Sequence, residues 1–164
     1  DRFSKIGSET QLTSMNINEV VGDTVMYFRR RIPRNVTLTY NGLAMSPIKV
    51  PINAALFEWV VENLMKNSLD ALQGQGTIDV EVGESGDTVY VEVSDSGKGI
   101  PKSNWTRIFE PGFTTKTRGW GLGLSLSRRI IEEYHKGKIA VGRSEPGRGT
   151  MIRITLKRHD EDEA

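Results

Sequence analysis

The sequence contains no cysteine among its 164 residues. Without a thiol the chain can form no disulfide, no thiolate metal site and no cysteine nucleophile. Its two histidines, His135 and His159, are too few to hold zinc unless carboxylates complete the ligand set. Thiol chemistry is therefore excluded, and a zinc site would need carboxylate ligands as well.

Long apolar runs and an excess of one charge are also missing. No apolar run approaches the roughly 18 residues that a membrane-spanning helix needs, and the N-terminus has no signal-peptide pattern. Lys and Arg total 22 against 21 Asp and Glu, so the overall charge gives no indication of nucleic-acid binding. We expect a soluble globular domain with no nucleic-acid partner and no membrane contact of its own.

The two ends of the chain differ from its middle. Residues 1–14 read as the last turn of a preceding helix followed by a linker, and residues 159–164 form an acidic tail. We expect residues 15–158 to form one folded domain between them. The chain therefore reads as a domain taken from a longer protein.

Hydrophobic periodicity predicts the secondary structure of that domain. The predicted helices cover residues 18–31, 53–72 and 122–135. The predicted strands cover residues 36–40, 48–50, 77–82, 88–93, 138–141 and 151–156. Helices grouped against a largely antiparallel sheet predict an α+β fold. We expect a two-layer α/β sandwich, with a mixed and mostly antiparallel sheet packed on three helices.

One predicted strand runs into an aspartate and a glycine-rich loop. Asp95 follows the alternating strand at residues 88–93, and Gly97 and Gly99 come directly after it. Glycines at these positions let the backbone approach a ligand that a Cβ would exclude. By itself the D-x-G-x-G pattern is as typical of an ordinary glycine turn as of a binding site.

The second predicted helix carries a polar stripe formed by Asn63, Asn67 and Asp70, spaced i, i+4 and i+7. An ordinary solvated face is the alternative, but such faces usually carry Lys, Glu and Arg. Asparagine is a mediocre helix former. Its neutral oxygen suits a hard cation that already has phosphate ligands.

Two further segments favour a phosphate ligand. Phe109 and Phe113 flank a Pro-Gly pair and would hold a loop against the domain, while Lys116 reaches solvent or a phosphate. Gly119, Gly121 and Gly123 then lead into a predicted helix. Free backbone N–H groups at a helix start bind anions, although tight packing at a helix entry is the simpler alternative. The spacing fits neither a Rossmann loop nor a Walker A loop.

Together these segments predict a site for ATP and Mg²⁺. An aspartate acceptor beside glycines can take the exocyclic amine of adenine, and so distinguish adenine from guanine. The order of the four segments resembles the N, G1, F and G2 boxes of the sensor histidine kinase catalytic domain. This domain belongs to the GHKL superfamily (the Bergerat ATP-binding fold), with type II topoisomerases and mismatch-repair ATPases. The resemblance covers roughly residues 16–157.

The resemblance implies roles for individual residues. Asn63 and Asn67 would be catalytic, with Asn67 as the Mg²⁺ ligand, and Asp95 would accept a hydrogen bond from the adenine amine. Residues 100–120 would form the ATP lid. The full set of implied contacts to ATP, or to ADP as product, is Asn67, Asp70, Asp95, Gly97, Gly99, Ile100, Phe113, Lys116, Gly119, Gly121, Leu122, Gly123, Leu124 and Thr150.

The residue at position 63 separates branches of the superfamily. Hydrolysing members carry a glutamate four residues before the metal asparagine, where it serves as general base for water. Asn63 cannot take a proton at neutral pH, whereas a histidine acceptor is itself a nucleophile. Asn63 therefore favours phosphate transfer over hydrolysis. Glu62 is a poor substitute for the missing base, because it would point about 100° away around the helix.

The chain also departs from the family pattern. Where these kinases often carry a cation and then an aromatic residue, this chain has Asp70 and Ala71. We expect adenine to pack differently, against Ile100, Leu124 or another residue that the sequence does not indicate. Lys116 and Arg118 are candidates to replace the missing charge.

The resemblance implies partners outside the chain. In the family the phosphoacceptor histidine lies on a separate dimerisation domain, and His135 is better explained as a structural residue. We therefore expect a monomer that phosphorylates a histidine supplied in trans, for relay to a response regulator. We expect it to be the cytoplasmic portion of a membrane-bound sensor. The alternatives are an ATPase switch, an anti-sigma-factor-like serine kinase and a non-catalytic nucleotide-dependent interaction domain.

Overall fold

The computed structural model describes residues 10–42, 48–113 and 123–158. Strands β1 to β7 are Thr13–Asn16, Val36–Asn41, Lys49–Ile52, Gly76–Ser85, Thr88–Asp95, Lys138–Glu145 and Gly149–Lys157. Helices α1 to α3 are Ile17–Arg29, Ala54–Leu72 and Gly123–Arg129. Two short 3₁₀ turns, Lys102–Asn104 and Arg107–Phe109, lie between β5 and α3, and a π-helical turn, Ile130–Tyr134, continues α3.

The main sheet has five strands in the order β2-β4-β5-β7-β6. β2 pairs with β4 in parallel, and the other three pairings are antiparallel. β1 and β3 form a separate two-stranded antiparallel sheet. The predicted mixed, mostly antiparallel sheet on three helices is therefore confirmed, while β1 was not predicted from the sequence.

Alternating side chains from the sheet and one face of α2 form the core. Val89, Val91 and Val93 of β5 are each at most 2% exposed. Phe57 and Val61 of α2 are fully buried in the same cluster. Another stripe of α2 carries Asn63, Asn67 and Asp70, which are half-buried or exposed and lie outside this cluster. The core thus fixes which side of α2 is available to a ligand.

Asparagine caps set where the first two helices begin. Asn16 accepts hydrogen bonds from the backbone of Asn18 and Glu19, and Asn53 accepts one from Leu56 at 3.1 Å. α2 ends at Gln73, whose left-handed backbone (φ 56°) terminates it before the glycines predicted to stop it. Across the described ranges, no helix combines the length and the hydropathy that crossing a membrane requires.

Candidate nucleotide-binding site

Asp95 ends β5 in the middle of the sheet, between its cross-strand partners Ile78 and Thr150. Its carboxylate accepts a hydrogen bond from the backbone N–H of Gly97 at 2.9 Å. The hydroxyl of Ser68 and the backbone of Thr150 also donate to it. Burial raises the pKa of Asp95 above its usual value of 3.8, and these three donors partly offset the effect. A half-buried acceptor is thus held by groups from α2, β7 and the following loop.

The loop at residues 97–100, here called the glycine loop, passes between α2 and the β6–β7 turn. A Cβ on Gly97 would lie 2.6 Å from the carbonyl oxygen of Ala71. Gly99 has φ +78°, and a Cβ there would run into the carbonyl oxygen of Glu145. Both glycines are therefore required by close backbone packing. Lys98 lies between them and donates from its backbone N–H to Ala71 at 3.2 Å.

This packing gives Ala71 a role that the sequence did not indicate. The methyl group of Ala71 would lie 2.8 Å from a Cβ on Gly97. In the kinases that this chain resembles, this position often carries an aromatic ring. Here it is the place where the glycine loop packs on the last turn of α2. A small residue there allows the contact.

Two side chains hold the peptide groups of Ile100 from opposite sides. The backbone N–H of Ile100 donates to Ser144 Oγ at 2.7 Å, and Trp105 Nε1 donates to the carbonyl oxygen of Ile100 at 3.0 Å. Ser144 Oγ also lies 2.8 Å from Thr150 Oγ1. Ile100 and Thr150 were predicted as site residues from the sequence, whereas their hydrogen-bonding neighbour Ser144, and also Trp105 and Ser68, were not.

A bulge in β6 explains why Ser144 was missed. Strand alternation from the buried Ile139 predicts that residues 141 and 143 face the core. The register of β6 against β7 shifts between Val141 and Arg143. The shift turns Ser144 inward, where it is 9% exposed. The sequence offered one signal for Ser144, a small hydroxyl residue shortly before a Pro-Gly turn.

The polar stripe of α2 contacts the start of α3. Asn63 is half-buried, and its Nδ2 donates to Ser127 Oγ at 3.1 Å. Ser127 is fully buried and donates to the carbonyl oxygen of Gly123 at 2.8 Å. A Cβ on Gly123 would lie 2.6 Å from Asn63 Oδ1. Asn63 therefore joins two of the predicted motifs directly.

The other two members of the stripe differ in exposure. Asn67 is half-buried, and its Nδ2 atom has almost no contact with solvent. Asp70, near the C-terminal end of α2, is exposed. No group of three or more His, Cys, Asp or Glu side chains in ranges 10–42, 48–113 and 123–158 could hold a metal. The neutral amide of Asn67 fits an ion that also binds phosphate oxygens.

Part of the predicted lid lies against the domain. Ile108 and Phe109 are buried, and the guanidinium of Arg107 lies 5.2 Å from the ring centre of Phe113. The half-buried side chains of Ile100, Phe113 and Leu124 pack against the hydrophobic core. The predicted contacts Lys116, Gly119, Gly121 and Leu122, with Arg118, lie outside the described residues.

His135 has the structural role expected for it. Its ring accepts a hydrogen bond at Nε2 from the backbone N–H of Asn53 at 3.0 Å. Nδ1 lies 2.9 Å from the carbonyl oxygen of Ile130, so the proton of the neutral ring is assigned to Nδ1. Burial lowers the pKa of His135 below 6.5. The residue connects the end of the π-helical turn to the beginning of α2, away from the stripe.

Residues 53–160 match the family of histidine kinase-, DNA gyrase B- and HSP90-like ATPases. The chain is 30% identical to the nitrogen regulation protein NtrY of Azorhizobium caulinodans, over 96% of this chain and 21% of that protein. It is also similar to the catalytic domain of histidine kinase ThkA, with 30% identity and a TM-score of 0.81. That match covers 91% of this chain and 97% of the other.

A further solved structure is ThkA in complex with the response regulator protein TrrA. There the TM-score is 0.77 and the identity 28%, over 90% of this chain and 42% of that one. The family match covers more than half of this chain, and the similar structures share its sheet and helices, so the predicted family is confirmed. The chain belongs to the histidine kinase-, DNA gyrase B- and HSP90-like ATPases, as an ATP-binding catalytic domain of the sensor histidine kinase type.

Proposed function

We propose that this chain binds ATP together with Mg²⁺ and transfers the γ-phosphate to a histidine on a separate dimerisation domain of its parent protein. The observation that carries the proposal is the environment of Asp95. A carboxylate that is half-buried and fixed by three hydrogen bonds costs desolvation energy. It recovers part of that energy when a ligand donor reaches it. The exocyclic amine of adenine is such a donor.

The base would bind between the strand ends and the glycine loop. Asp95 accepts from the amine, and the Thr150 hydroxyl lies on the paired strand beside it. The backbone of the glycine loop is held against Ala71 on one side and Glu145 on the other. Ile100, Phe113 and Leu124 supply apolar surface for the base and sugar. The residues at this end bind and orient the nucleotide, and no proton moves there.

The phosphate chain would lie between α2 and the start of α3. Asn67 offers a neutral oxygen to Mg²⁺, and Gly123 leaves the space beside Asn63 free of a side chain. The ion, when bound with ATP, neutralises negative charge on the transferring phosphoryl group. Lys116, Gly119, Gly121 and Leu122 are proposed to contact the phosphates from the lid. Asp70, which is exposed, would contact the nucleotide at the edge of the stripe.

Phosphate transfer is favoured over hydrolysis by the chemistry of Asn63. Its amide nitrogen donates to Ser127, and an amide has no basic site for a proton of water. An imidazole acceptor needs no such base, because its ring nitrogen attacks directly. Wild-type protein should therefore hydrolyse ATP slowly. Rapid steady-state hydrolysis by the wild type, unchanged in Asn63→Ala, would instead support an ATPase switch.

The proposed partners follow from the same role. This chain spans 21% of NtrY, so the acceptor histidine would belong to another part of the parent protein. The similar kinase ThkA has been crystallised with a response regulator. We therefore propose a response regulator as the indirect recipient of the phosphate, and a cytoplasmic position for this domain.

Calorimetric titration with ADP, with and without Mg²⁺, tests the proposal. Asp95→Asn replaces an acceptor oxygen by a donor amide, and we expect ADP affinity to fall at least about a hundredfold. Asp79→Asn is the matched control, since it makes the same change on an exposed residue of β4. Equal ADP binding by wild type and Asp95→Asn, or no binding by folded wild type, would contradict the proposed site.

A further inference from the structure

Ser127 is a buried polar residue at the contact between α3 and α2. Its side chain is fully buried, and its Oγ has partners on both helices. Oγ donates to the carbonyl oxygen of Gly123, one turn earlier in α3, at 2.8 Å. It accepts a hydrogen bond from Nδ2 of Asn63 on α2 at 3.1 Å. A buried hydroxyl that both donates and accepts is held in one orientation.

The carbonyl group of Gly123 determines the direction of the hydrogen bond between Ser127 and Asn63. A carbonyl oxygen can only accept, so the single hydroxyl proton of Ser127 is used there. Toward Asn63 the hydroxyl offers only a lone pair, and the amide atom that faces it is the nitrogen. The two ends of an asparagine amide have nearly the same shape, so hydrogen bonds rather than packing select between them. Ser127 therefore fixes the orientation of the Asn63 amide.

With its nitrogen bound to Ser127, the amide of Asn63 leaves its oxygen on the side where α3 begins. Asn63 Oδ1 lies 2.6 Å from the position that a Cβ on Gly123 would take, closer than Nδ2 at 3.0 Å. Both residues are half-buried, so this oxygen lies at the edge of the helix contact and outside the hydrophobic core.

An amide oxygen at this place distinguishes two forms of a nucleotide. The proposed phosphate chain lies between α2 and the start of α3, and its oxygens are acceptors like Asn63 Oδ1. Two acceptors repel each other unless a cation or a hydrogen-bond donor lies between them. Mg²⁺ bound to phosphates keeps several of its waters, and these waters are donors. The amide orientation therefore suits the magnesium complex and opposes the metal-free nucleotide.

We propose that Ser127 is a positioning residue that selects the magnesium complex of the nucleotide: it holds the Asn63 amide with its oxygen toward the phosphate chain, so that the site prefers Mg²⁺-bound to metal-free nucleotide. This inference rests on the proposed nucleotide-binding function and adds an origin for its metal dependence. Because Ser127 is fully buried, it acts through Asn63 and does not itself touch the ion or the nucleotide.

The test measures the ratio of the ADP dissociation constants without and with Mg²⁺, by calorimetric titration. Ser127→Ala removes the hydroxyl and allows the Asn63 amide to turn its nitrogen, a donor, toward the phosphates. Metal-free ADP should then bind more tightly and the magnesium complex less tightly. We expect the ratio to fall about fivefold.

Thr24→Val is the matched control for the loss of a buried helical hydroxyl. Thr24 is 8% exposed, and its hydroxyl donates to the carbonyl oxygen of Val20, one turn earlier in α1, at 2.8 Å. The substitution removes the same kind of hydrogen bond at a distance from the polar stripe of α2. It should lower stability and leave the ratio of the two dissociation constants unchanged.

A double-mutant cycle decides whether Ser127 acts through Asn63. Asn63→Ala alone should lower the ratio, because it removes the oriented oxygen, and adding Ser127→Ala should then lower it little further. Ser127→Cys, which keeps a small side chain with a weakly hydrogen-bonding sulfur, replaces Ser127→Ala if that variant is unfolded. Its ratio should fall in the same direction.

The outcomes separate the inference from the proposed function. An unchanged or raised ratio in the folded Ser127 variant, which includes equal weakening of both forms of ADP, would overturn the inference and leave nucleotide binding in place. Fully additive effects in the double variant, or wild-type ADP binding that does not respond to Mg²⁺, would overturn it as well. Failure of folded wild type to bind ADP would overturn the proposed function itself, together with the inference that depends on it.

Discussion

The two ends of the candidate site are constructed differently. At the base end, the backbone of the glycine loop is hydrogen-bonded at Lys98 and Ile100 to groups from α2, β6 and the first 3₁₀ segment. At the phosphate end, the side chain of Asn63 joins α2 to α3 through Ser127. The base end thus depends on backbone geometry, whereas the phosphate end presents side chains from packed helices.

The two ends of the site should therefore respond differently to substitutions. A substitution that displaces the backbone of the glycine loop should damage folding and binding together, because the same contacts serve both. A substitution on the polar stripe of α2 should alter ligand chemistry while the core face of the helix, with Phe57 and Val61, keeps the fold intact.

Gly99→Ala should break the base end. Gly99 has φ +78°, and a Cβ there would collide with the carbonyl oxygen of Glu145, so we expect a loss of about 3 kcal/mol in the free energy of unfolding. ADP binding should be lost as well. Gly86→Ala is the control, because Gly86 has φ +62° with open space around it. Its expected cost in urea unfolding is about 1 kcal/mol. Similar costs for both variants would show that the glycine loop tolerates displacement.

Asn67→Ala should disable the phosphate end without unfolding the protein. We expect the enhancement of ADP affinity by Mg²⁺ to fall about tenfold or more, because the substitution removes the proposed Mg²⁺ ligand. The midpoint of thermal unfolding without nucleotide should change little. Asn35→Ala, at an exposed position before β2, makes the same change away from the site. A large stability loss with unchanged Mg²⁺ dependence would mean that Asn67 serves folding instead.

Titration of Asp95 with pH should change the ADP affinity and the free energy of unfolding in opposite directions. The pKa of Asp95 is raised by burial, so the folded state holds its proton more tightly than the unfolded state. The contribution of Asp95 to stability is therefore fully present below its unfolded pKa and is lost as pH rises through the folded pKa. ADP affinity should follow the reverse course, because protonation removes an acceptor for the adenine amine.

Asp95→Asn isolates that contribution. The difference between wild type and Asp95→Asn in the free energy of unfolding, measured from pH 3 upward, should shift in favour of the wild type as pH falls. ADP affinity of the wild type should decrease over the same window. Parallel changes of stability and affinity with pH would assign the titration to another group.

The sequence was informative where chemistry is carried by short patterns. The D-x-G-x-G loop, the asparagine stripe and the glycine-rich helix entry led to the family and fold, because glycine and asparagine at those spacings are costly without a purpose. Contacts between distant segments were not readable. Ser144 turns inward through a bulge, Ser68 reaches Asp95 across the helix–sheet interface, and Ala71 receives the glycine loop.

β1 was missed for a related reason. Its four residues, Thr13–Asn16, are too short for a clear alternation, and their pairing with β3 forms through contacts far apart in sequence. The roles of the individual site residues in nucleotide binding stay predictions. Lys116, Gly119, Gly121 and Leu122 lie outside the described ranges.

Trp105→Phe should have the smallest effect on ADP affinity, because a second side chain also holds the Ile100 backbone. The substitution removes the indole N–H that donates to the carbonyl oxygen of Ile100 but keeps an aromatic ring in place. Because Ser144 still holds the N–H of Ile100, we expect ADP affinity to fall only about threefold. Lys102→Ala, which removes the ammonium 5.9 Å from the same ring, should leave affinity unchanged. A loss as large as the roughly hundredfold expected of Asp95→Asn would mean that the indole N–H is as necessary for binding as the Asp95 carboxylate. The lid would then be coupled to base recognition through its first turn.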